Sequence, residues 1–284
     1  MQNAGISSLG LDWRYLAFDV RPEALAEAIR GAEQMHFVGL NLTVPHKQLA
    51  VEMVDVLDES AKEWGAVNTI RFEGRVEGGE WLSLGHPDSD SFTETRSVGY
   101  NTDADAIVRA CEEDLELDIS QASILLLGVG GAGRVAALKF ASRGVKRLAI
   151  VNRTQAKAES VKDEIAARYP DCDVTLGYPR DSVDLMVNGT SLGLKEADPL
   201  PIDLDRFGLA SARAVYDMIY QPAETSLLKR AREAGCRVSN GLGMLVYQGA
   251  KALEIWTETE APVRTMREAL EVHIYGEVVG GGRG

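Results

Sequence analysis

Cysteine is scarce in this 284-residue chain. Cys111, Cys172 and Cys236 stand far apart with no CxxC pair. That excludes a disulfide framework or a zinc site as the organising principle, and it suits a reducing cytoplasm. No metal is expected. Long apolar runs are also lacking: none approaches the ~18 residues of a membrane span, and no signal-peptide pattern is visible, so no membrane contact is expected. Basic residues are outnumbered, 30 against 43 acidic ones, and only nine of the 30 are lysine. A net charge of −13 and a pI near 4.9 argue against nucleic-acid binding. An acidic, lysine-poor protein suits a salt-rich cytoplasm, where carboxylate repulsion is screened over ~3 Å at 1 M; the plain alternative is an ordinary acidic protein.

With 45% hydrophobic residues, the chain can bury one large or two medium cores. Residues 4–9 read as the end of a helix, and Trp13–Phe18 alternates as a strand should. Pro22 suits the start of a helix over 22–31. His36–Leu42 reads as a buried strand, 46–57 and 58–64 as helical, and Ala66–Phe72 as a strand. Alternating strands and helices predict a parallel sheet. Residues 73–98, Gly-rich and acidic, read as an extended hairpin or surface loop with no catalytic part. A helix over 104–115 precedes strands at 123–128 and 147–151 and helices at 132–143 and 155–168. Strands near 173–176, 183–187 and 213–218 complete a second parallel sheet. Helices follow at Pro222–Ala234, Leu245–Trp256 and 261–274, and Gly280–Gly284 reads as a floppy tail.

Gly128-Val129-Gly130-Gly131-Ala132-Gly133 fits G-x-G-x-x-G, directly after an apolar strand and opening a helix. In that context the first glycine permits a tight turn, the second lets a pyrophosphate approach the backbone, and the third allows close helix–strand contact. The helix N-terminus offers free N–H groups to phosphate. An NAD site ordinarily ends the next strand with Asp or Glu for the ribose 2′-hydroxyl. Here Asn152-Arg153-Thr154 stands there, with Lys157 one turn on. Two cations and no carboxylate favour a 2′-phosphate, hence NADP.

Asn41-Leu42-Thr43-Val44-Pro45-His46-Lys47 joins a buried strand to a helix. Thr43 suits a cap and Pro45 the first helical turn. Lys47 is harder to explain structurally, because a cation there opposes the helix dipole. Asp103, in Asn101-Thr102-Asp103, reads equally as an N-cap or as a functional carboxylate. Asn68 ends a strand and is placed to cap or to bond a substrate hydroxyl.

These segments, together with Gly65–Thr69, Asn188-Gly189-Thr190, Tyr216–Pro222 and Asn240–Gln248, resemble the shikimate dehydrogenase family, in order and over nearly the whole chain. The resemblance implies an α/β fold: a Rossmann-type NADP-binding domain (104–239) and a smaller α/β substrate domain (1–103, completed by the C-terminal helices of 240–284), with the site in the cleft between them. It implies NADP-dependent interconversion of 3-dehydroshikimate and shikimate, a cytoplasmic protein acting as monomer or homodimer, and a small-molecule substrate as its partner. Lys47 and Asp103 would be the catalytic pair. Thr43, Asn68, Asp103, Tyr220 and Gln248 would contact substrate. Gly128, Gly130, Gly131, Ala132, Gly133, Asn152, Arg153, Thr154 and Lys157 would hold the cofactor, with Met218 and Gly241 near its nicotinamide. Lys157 stands where the family often has arginine, which keeps the charge but loses the planar fork. The family's opening strand and S-x-S-x-S-P segment, whose hydroxyls hold the substrate carboxylate, have no match: Met1–Ala4 align just after it, with Gln2 at a usual histidine. Ser7 and Ser8 fall in the following helix. The first sheet is therefore expected to lack a strand, leaving the pocket beside Lys47, Asn68 and Asp103 open where the carboxylate belongs. Quinate/shikimate dehydrogenase activity, or NADP binding with little turnover, are the rival readings.

Overall fold

The computed structural model describes residues 1–86 and 92–276. Residues 87–91 of the expected hairpin and the tail Gly280–Gly284 lie outside them. The chain divides into two compact units, Met1–Asp103 with Gln248–Gly284, and Ala104–Tyr247.

The first unit opens with α1 (Gln2–Ser8), α2 (Leu25–Gln34), β1 (Gly39–Asn41), α3 (His46–Leu49), β2 (Val56–Leu57), α4 (Glu59–Trp64), β3 (Thr69–Arg75), β4 (Trp81–Ser83) and β5 (Glu94–Tyr100). Its sheet runs β1–β3–β5–β2, with β4 pairing the second half of β3. The expectation of a parallel sheet is corrected here: β1–β3, β3–β4 and β3–β5 are antiparallel, and only β2–β5 is parallel. The reason is connectivity. Residues 76–80 turn β3 straight back into β4 rather than through a crossover helix, and such a link makes neighbours antiparallel.

Other expectations shift locally. Trp13–Phe18 forms no strand; the Asn3 amide satisfies the Tyr15 backbone instead, donating to its carbonyl at 2.9 Å and accepting from its N–H at 2.7 Å. The predicted 46–57 helix stops at Leu49, continues as a 3₁₀ turn over Ala50–Glu52 and becomes β2. Helix α4 is capped by Asp58, which accepts from Ser60 N at 2.9 Å, and ends at Gly65 in the left-handed region (φ 60°), a conformation glycine adopts without strain.

The second unit comprises most of α5 (Asp103–Asp114), then β6 (Ser123–Leu127), α6 (Gly131–Ser142), β7 (Arg147–Val151), α7 (Gln155–Arg168), β8 (Asp173–Leu176), β9 (Val183–Asn188), β10 (Ala212–Asp217), α8 (Ser226–Glu233), β11 (Arg237–Asn240) and the first turns of α9 (Leu242–Thr257). All pairings are parallel, in the order β8–β7–β6–β9–β10–β11. This is the doubly wound 3-2-1-4-5-6 order, whose direction of winding reverses between β6 and β9. Leu125, Leu127, Met186, Val215 and Leu227 fill one core face, the near-continuous apolar pattern that parallel strands covered on both faces require. The predicted Pro222–Ala234 helix starts only at Ser226, where Thr225 caps it. β11 was absent from the sequence reading.

The division between units falls inside α9 rather than near residue 240. The start of α9 belongs to the second unit because it packs on α5: Gly243 abuts Asp114, Tyr247 donates to Asp114 Oδ1 at 2.9 Å, and the Arg109 guanidinium lies 4.6 Å over the Tyr247 ring. The rest of α9 and α10 (Val263–Tyr275) pack with α1 through Ile6, Leu253, Trp256 and Met266. Trp256 Nε1 donates to Ile70 O at 2.9 Å, tying α9 to β3.

Candidate functional site

In the first unit, Lys47 Nζ donates to Asp103 Oδ2 at 2.8 Å. The two side chains keep 27% and 21% of their exposure, so the pair is reachable yet partly desolvated. A short charge-assisted contact at an accessible position is suited to moving or stabilising charge. Each partner is anchored through its backbone. Lys47 O accepts from Val67 N at 2.8 Å, and Asp103 N donates to Asn101 Oδ1 at 3.1 Å. Asn101 in turn donates to Ala66 O.

Asn68 is buried, 1% exposed. Its Oδ1 accepts from Thr102 N at 2.9 Å, and its Nδ2 donates to Thr102 Oγ1 at 3.0 Å. Thr102 Oγ1 donates to Gln248 O at 3.0 Å, joining the site to α9. Gln248 itself is half-buried, whereas Thr43 is exposed. Thr43 does not cap α3 with its side chain: its carbonyl accepts from His46 N, and Pro45 takes the N-cap position. With only four residues in α3, the local chain turns before a hydroxyl cap can form. Asn101 and Thr102 were not singled out from sequence, although the triplet containing them was. The importance of Thr102 comes from contacts 34 and 146 residues distant, and that of Asn101 from one 35 residues distant.

In the second unit the glycine turn has the geometry its spacing predicts. Gly128 has φ 87°, and a Cβ there would lie 2.5 Å from Thr190 Cγ2. A Cβ at Gly133 would lie 2.1 Å from Gly128 O. Around Gly130 and Gly131 nothing approaches within 4 Å of an added Cβ, so a phosphate has room against that backbone. Gly131, Ala132 and Gly133 open α6. Asn152 does local work: its Oδ1 accepts from Val129 N at 3.0 Å, and its Nδ2 donates to Thr154 O at 2.7 Å. It thereby fixes the glycine turn against the turn after β7. Thr154 precedes α7 without a side-chain cap bond. Arg153 and Lys157 are exposed and, among the described residues, have no carboxylate partner. Two exposed cations beside the N-terminus of α7 can take a phosphate monoester.

Met218 and Gly241 are in direct contact: a Cβ at Gly241 would sit 2.1 Å from Met218 O, and Gly241 N donates to Ile219 O at 3.1 Å. Tyr220 is 37% exposed. The buried polar residues Asn188, Asp217 and Thr225 underlie this region, and nothing in their local sequence marks them for a role. Among the described residues no cluster of His, Cys, Asp or Glu could hold a metal ion.

A doubly wound sheet with a glycine turn at its first strand, joined to a separate unit carrying an accessible lysine–carboxylate pair, places the chain among two-unit α/β proteins of the dinucleotide-binding class. Comparison narrows the class. Residues 1–70 match the shikimate dehydrogenase substrate binding domain, 110–176 the shikimate / quinate 5-dehydrogenase family, and 241–271 the shikimate 5′-dehydrogenase C-terminal domain. A shikimate dehydrogenase (NADP(+)) of Methanopyrus kandleri is 38% identical, over 96% of this chain and 90% of that one. A shikimate dehydrogenase solved in complex with NADP+ superposes with a TM-score of 0.77 at 33% identity, covering 96% of this chain and 89% of the other. A 5-ketofructose reductase of Gluconobacter also reaches 0.77, at 29% identity and 95% and 91% coverage. The chain belongs to the shikimate dehydrogenase family.

Proposed function

We propose that the chain is an NADP-dependent oxidoreductase acting on a CH–OH group, reducing 3-dehydroshikimate to shikimate in the biosynthesis of aromatic amino acids. The observation that carries this reading is the 2.8 Å contact of Lys47 with Asp103 in a member of this family. The unit Met1–Asp103 with Gln248–Gly284 is the substrate and catalytic domain, and Ala104–Tyr247 binds NADP. The protein works in the cytoplasm as a monomer or homodimer, and its acidity suits high salt: its thermal midpoint should rise between dilute and molar KCl.

NADPH, when bound, supplies the hydride. Lys47, as an ammonium, stabilises the negative charge that develops on the ketone oxygen and gives it a proton, completing the secondary alcohol. Asp103 holds the ammonium in place and accepts from the neighbouring substrate hydroxyl. In the oxidative direction Lys47 accepts the proton instead. Thr43, Asn68, Tyr220 and Gln248 bond the remaining hydroxyls; Asn68, with one amide N–H committed to Thr102, has its second for the substrate. The glycine turn Gly128, Gly130 and Gly133, with Gly131 and Ala132, receives the pyrophosphate. Arg153 and Lys157, supported by Asn152 and Thr154, receive the 2′-phosphate, and Met218 and Gly241 flank the nicotinamide.

The test is turnover. Purified protein should oxidise shikimate with NADP+ and do so far better than quinate. Faster turnover of quinate would move the chain to the quinate branch of the family, and no turnover of either by protein that still binds NADP+ would refute the enzymatic reading.

A further inference from the structure

Asp217, the last residue of β10, is fully buried, and so is Asn188 at the end of β9. The two pair in register across the sheet, with Leu127 of β6 and Asn240 of β11 in the same row. The Asp217 carboxylate meets three donors. Asn188 Nδ2 and Ile219 N reach Oδ1 at 2.9 and 3.1 Å, and Thr225 Oγ1 reaches Oδ2 at 2.7 Å. Each donor controls a different piece of backbone. Asn188 Oδ1 accepts from Thr190 N and Oγ1 at 3.0 and 2.7 Å, while its Nδ2 also donates to Leu192 O, which folds the turn after β9. Thr225 caps α8 by accepting from Leu228 N. Ile219 O accepts from Gly241 N, and Met218 N donates to Asn188 O. One carboxylate thus fixes the 188–193 turn, the 217–225 segment and Gly241 together.

A buried carboxylate is a costly way to hold loops unless its geometry is needed. Burial pushes the Asp217 carboxyl above its ordinary pKa, against the pull of its hydrogen bonds from Thr225, Ile219 and Asn188. In a doubly wound sheet the dinucleotide lies across the reversal point, one mononucleotide on each half. Here β6 and β7 carry the glycine turn and Arg153, whereas the segments Asp217 fixes follow β9, β10 and β11 and meet the glycine turn only where Gly189 and Thr190 pack on Gly128 and Gly133.

We propose that Asp217 is a positioning residue for the nicotinamide half of the dinucleotide site and leaves the adenosine half untouched. The proposal rests on the NADP reading given above. Asparagine at position 217 has the same shape but is neutral: with its Oδ1 still accepting from Asn188 Nδ2 and Ile219 N, its N–H₂ faces Thr225 Oγ1, and that hydroxyl must turn from donor to acceptor. Thr225→Val removes the donor to Asp217 and the acceptor that caps α8 at nearly constant volume, and Thr225→Ser keeps both.

The experiment compares binding of adenosine 2′,5′-bisphosphate, which reports the adenosine half alone, with binding of NADPH, its nicotinamide fluorescence and kcat. Asp217→Asn and Thr225→Val should keep bisphosphate affinity within about twofold while weakening NADPH and lowering kcat by ~10-fold or more, the factor that ~1.4 kcal/mol represents. They should also lose the fluorescence change of the bound nicotinamide, and Thr225→Ser should restore all three. Parallel loss of bisphosphate affinity would make Asp217 a general support of the fold and overturn the proposal, as would unchanged NADPH binding and kcat. If Asp217→Asn does not fold, the Thr225→Val and Thr225→Ser pair decides by the same criteria. Failure of the unsubstituted protein to bind either ligand would overturn the NADP reading, and this proposal with it, before any variant is made.

Discussion

Lys47 Nζ lies 2.8 Å from Asp103 Oδ2 although 56 residues separate them. The lysine sits in a four-residue helix after β1 and the aspartate opens α5; Val67 and Asn68, which lead into β3 rather than end a strand, hold the Lys47 carbonyl and the Thr102 backbone beside Asp103.

Lys47→Ala should therefore reduce kcat by ~10²–10⁴-fold, the contribution of a positioned acid, with a much smaller change in KM. Steady-state kinetics in the reductive direction measure this. An unchanged kcat with a raised KM would make Lys47 a binding group only.

Among the described residues, Arg153 and Lys157 carry no carboxylate partner to compete with a ligand. Arg153→Ala should weaken NADP by ~1.5–3 kcal/mol, the loss of one charged hydrogen bond, and leave NAD nearly unaffected. Titration of both dinucleotides decides the matter, and equal losses would remove Arg153 from recognition of the 2′-phosphate.

Gly241 and Gly130 should respond oppositely to alanine. At Gly241 the new Cβ would press on Met218 O at 2.1 Å, and overpacking of this kind costs about 1–3 kcal/mol, visible as a lower urea midpoint. At Gly130 the Cβ meets nothing within 4 Å, so stability should hold while dinucleotide affinity falls. A stable Gly241→Ala protein with normal NADPH binding would contradict the close packing of Gly241 on Met218.

Asp217 gives a pH signature. Burial raises its folded pKa, so folding favours the protonated form. Its contribution to stability is fully present below the ordinary aspartate pKa and is lost as the pH rises through the raised folded value. Carboxyl carbon NMR should place its midpoint above those of exposed aspartates, and unfolding experiments should show stability relative to Asp217→Asn declining across that window. A midpoint below the exposed aspartates would mean that the three hydrogen bonds outweigh burial.

The second unit was largely legible from residue order. Strands such as Arg147–Val151 and helices such as Gln155–Arg168 announce themselves because parallel strands covered on both faces are continuous apolar runs and helix ends carry their own markers. Gly128, Gly130 and Gly133 were legible for a local reason too: a tight turn and a close helix–strand approach make demands on single residues. The first unit was less so. Whether Ala66–Phe72 pairs parallel or antiparallel depends on how residues 73–98 return, and alternation in sequence is the same in both cases. Trp13–Phe18 alternates like a strand yet is satisfied by the Asn3 amide, a partner that only folding brings near. Residue identity therefore marked Lys47, Asp103 and the glycine turn, because their chemistry or backbone conformation is unusual at the positions they hold. The importance of Thr102, Asn188 and Asp217 arose in the folded chain alone, because a buried hydroxyl, amide or carboxylate acquires its task from donors and acceptors far away in sequence.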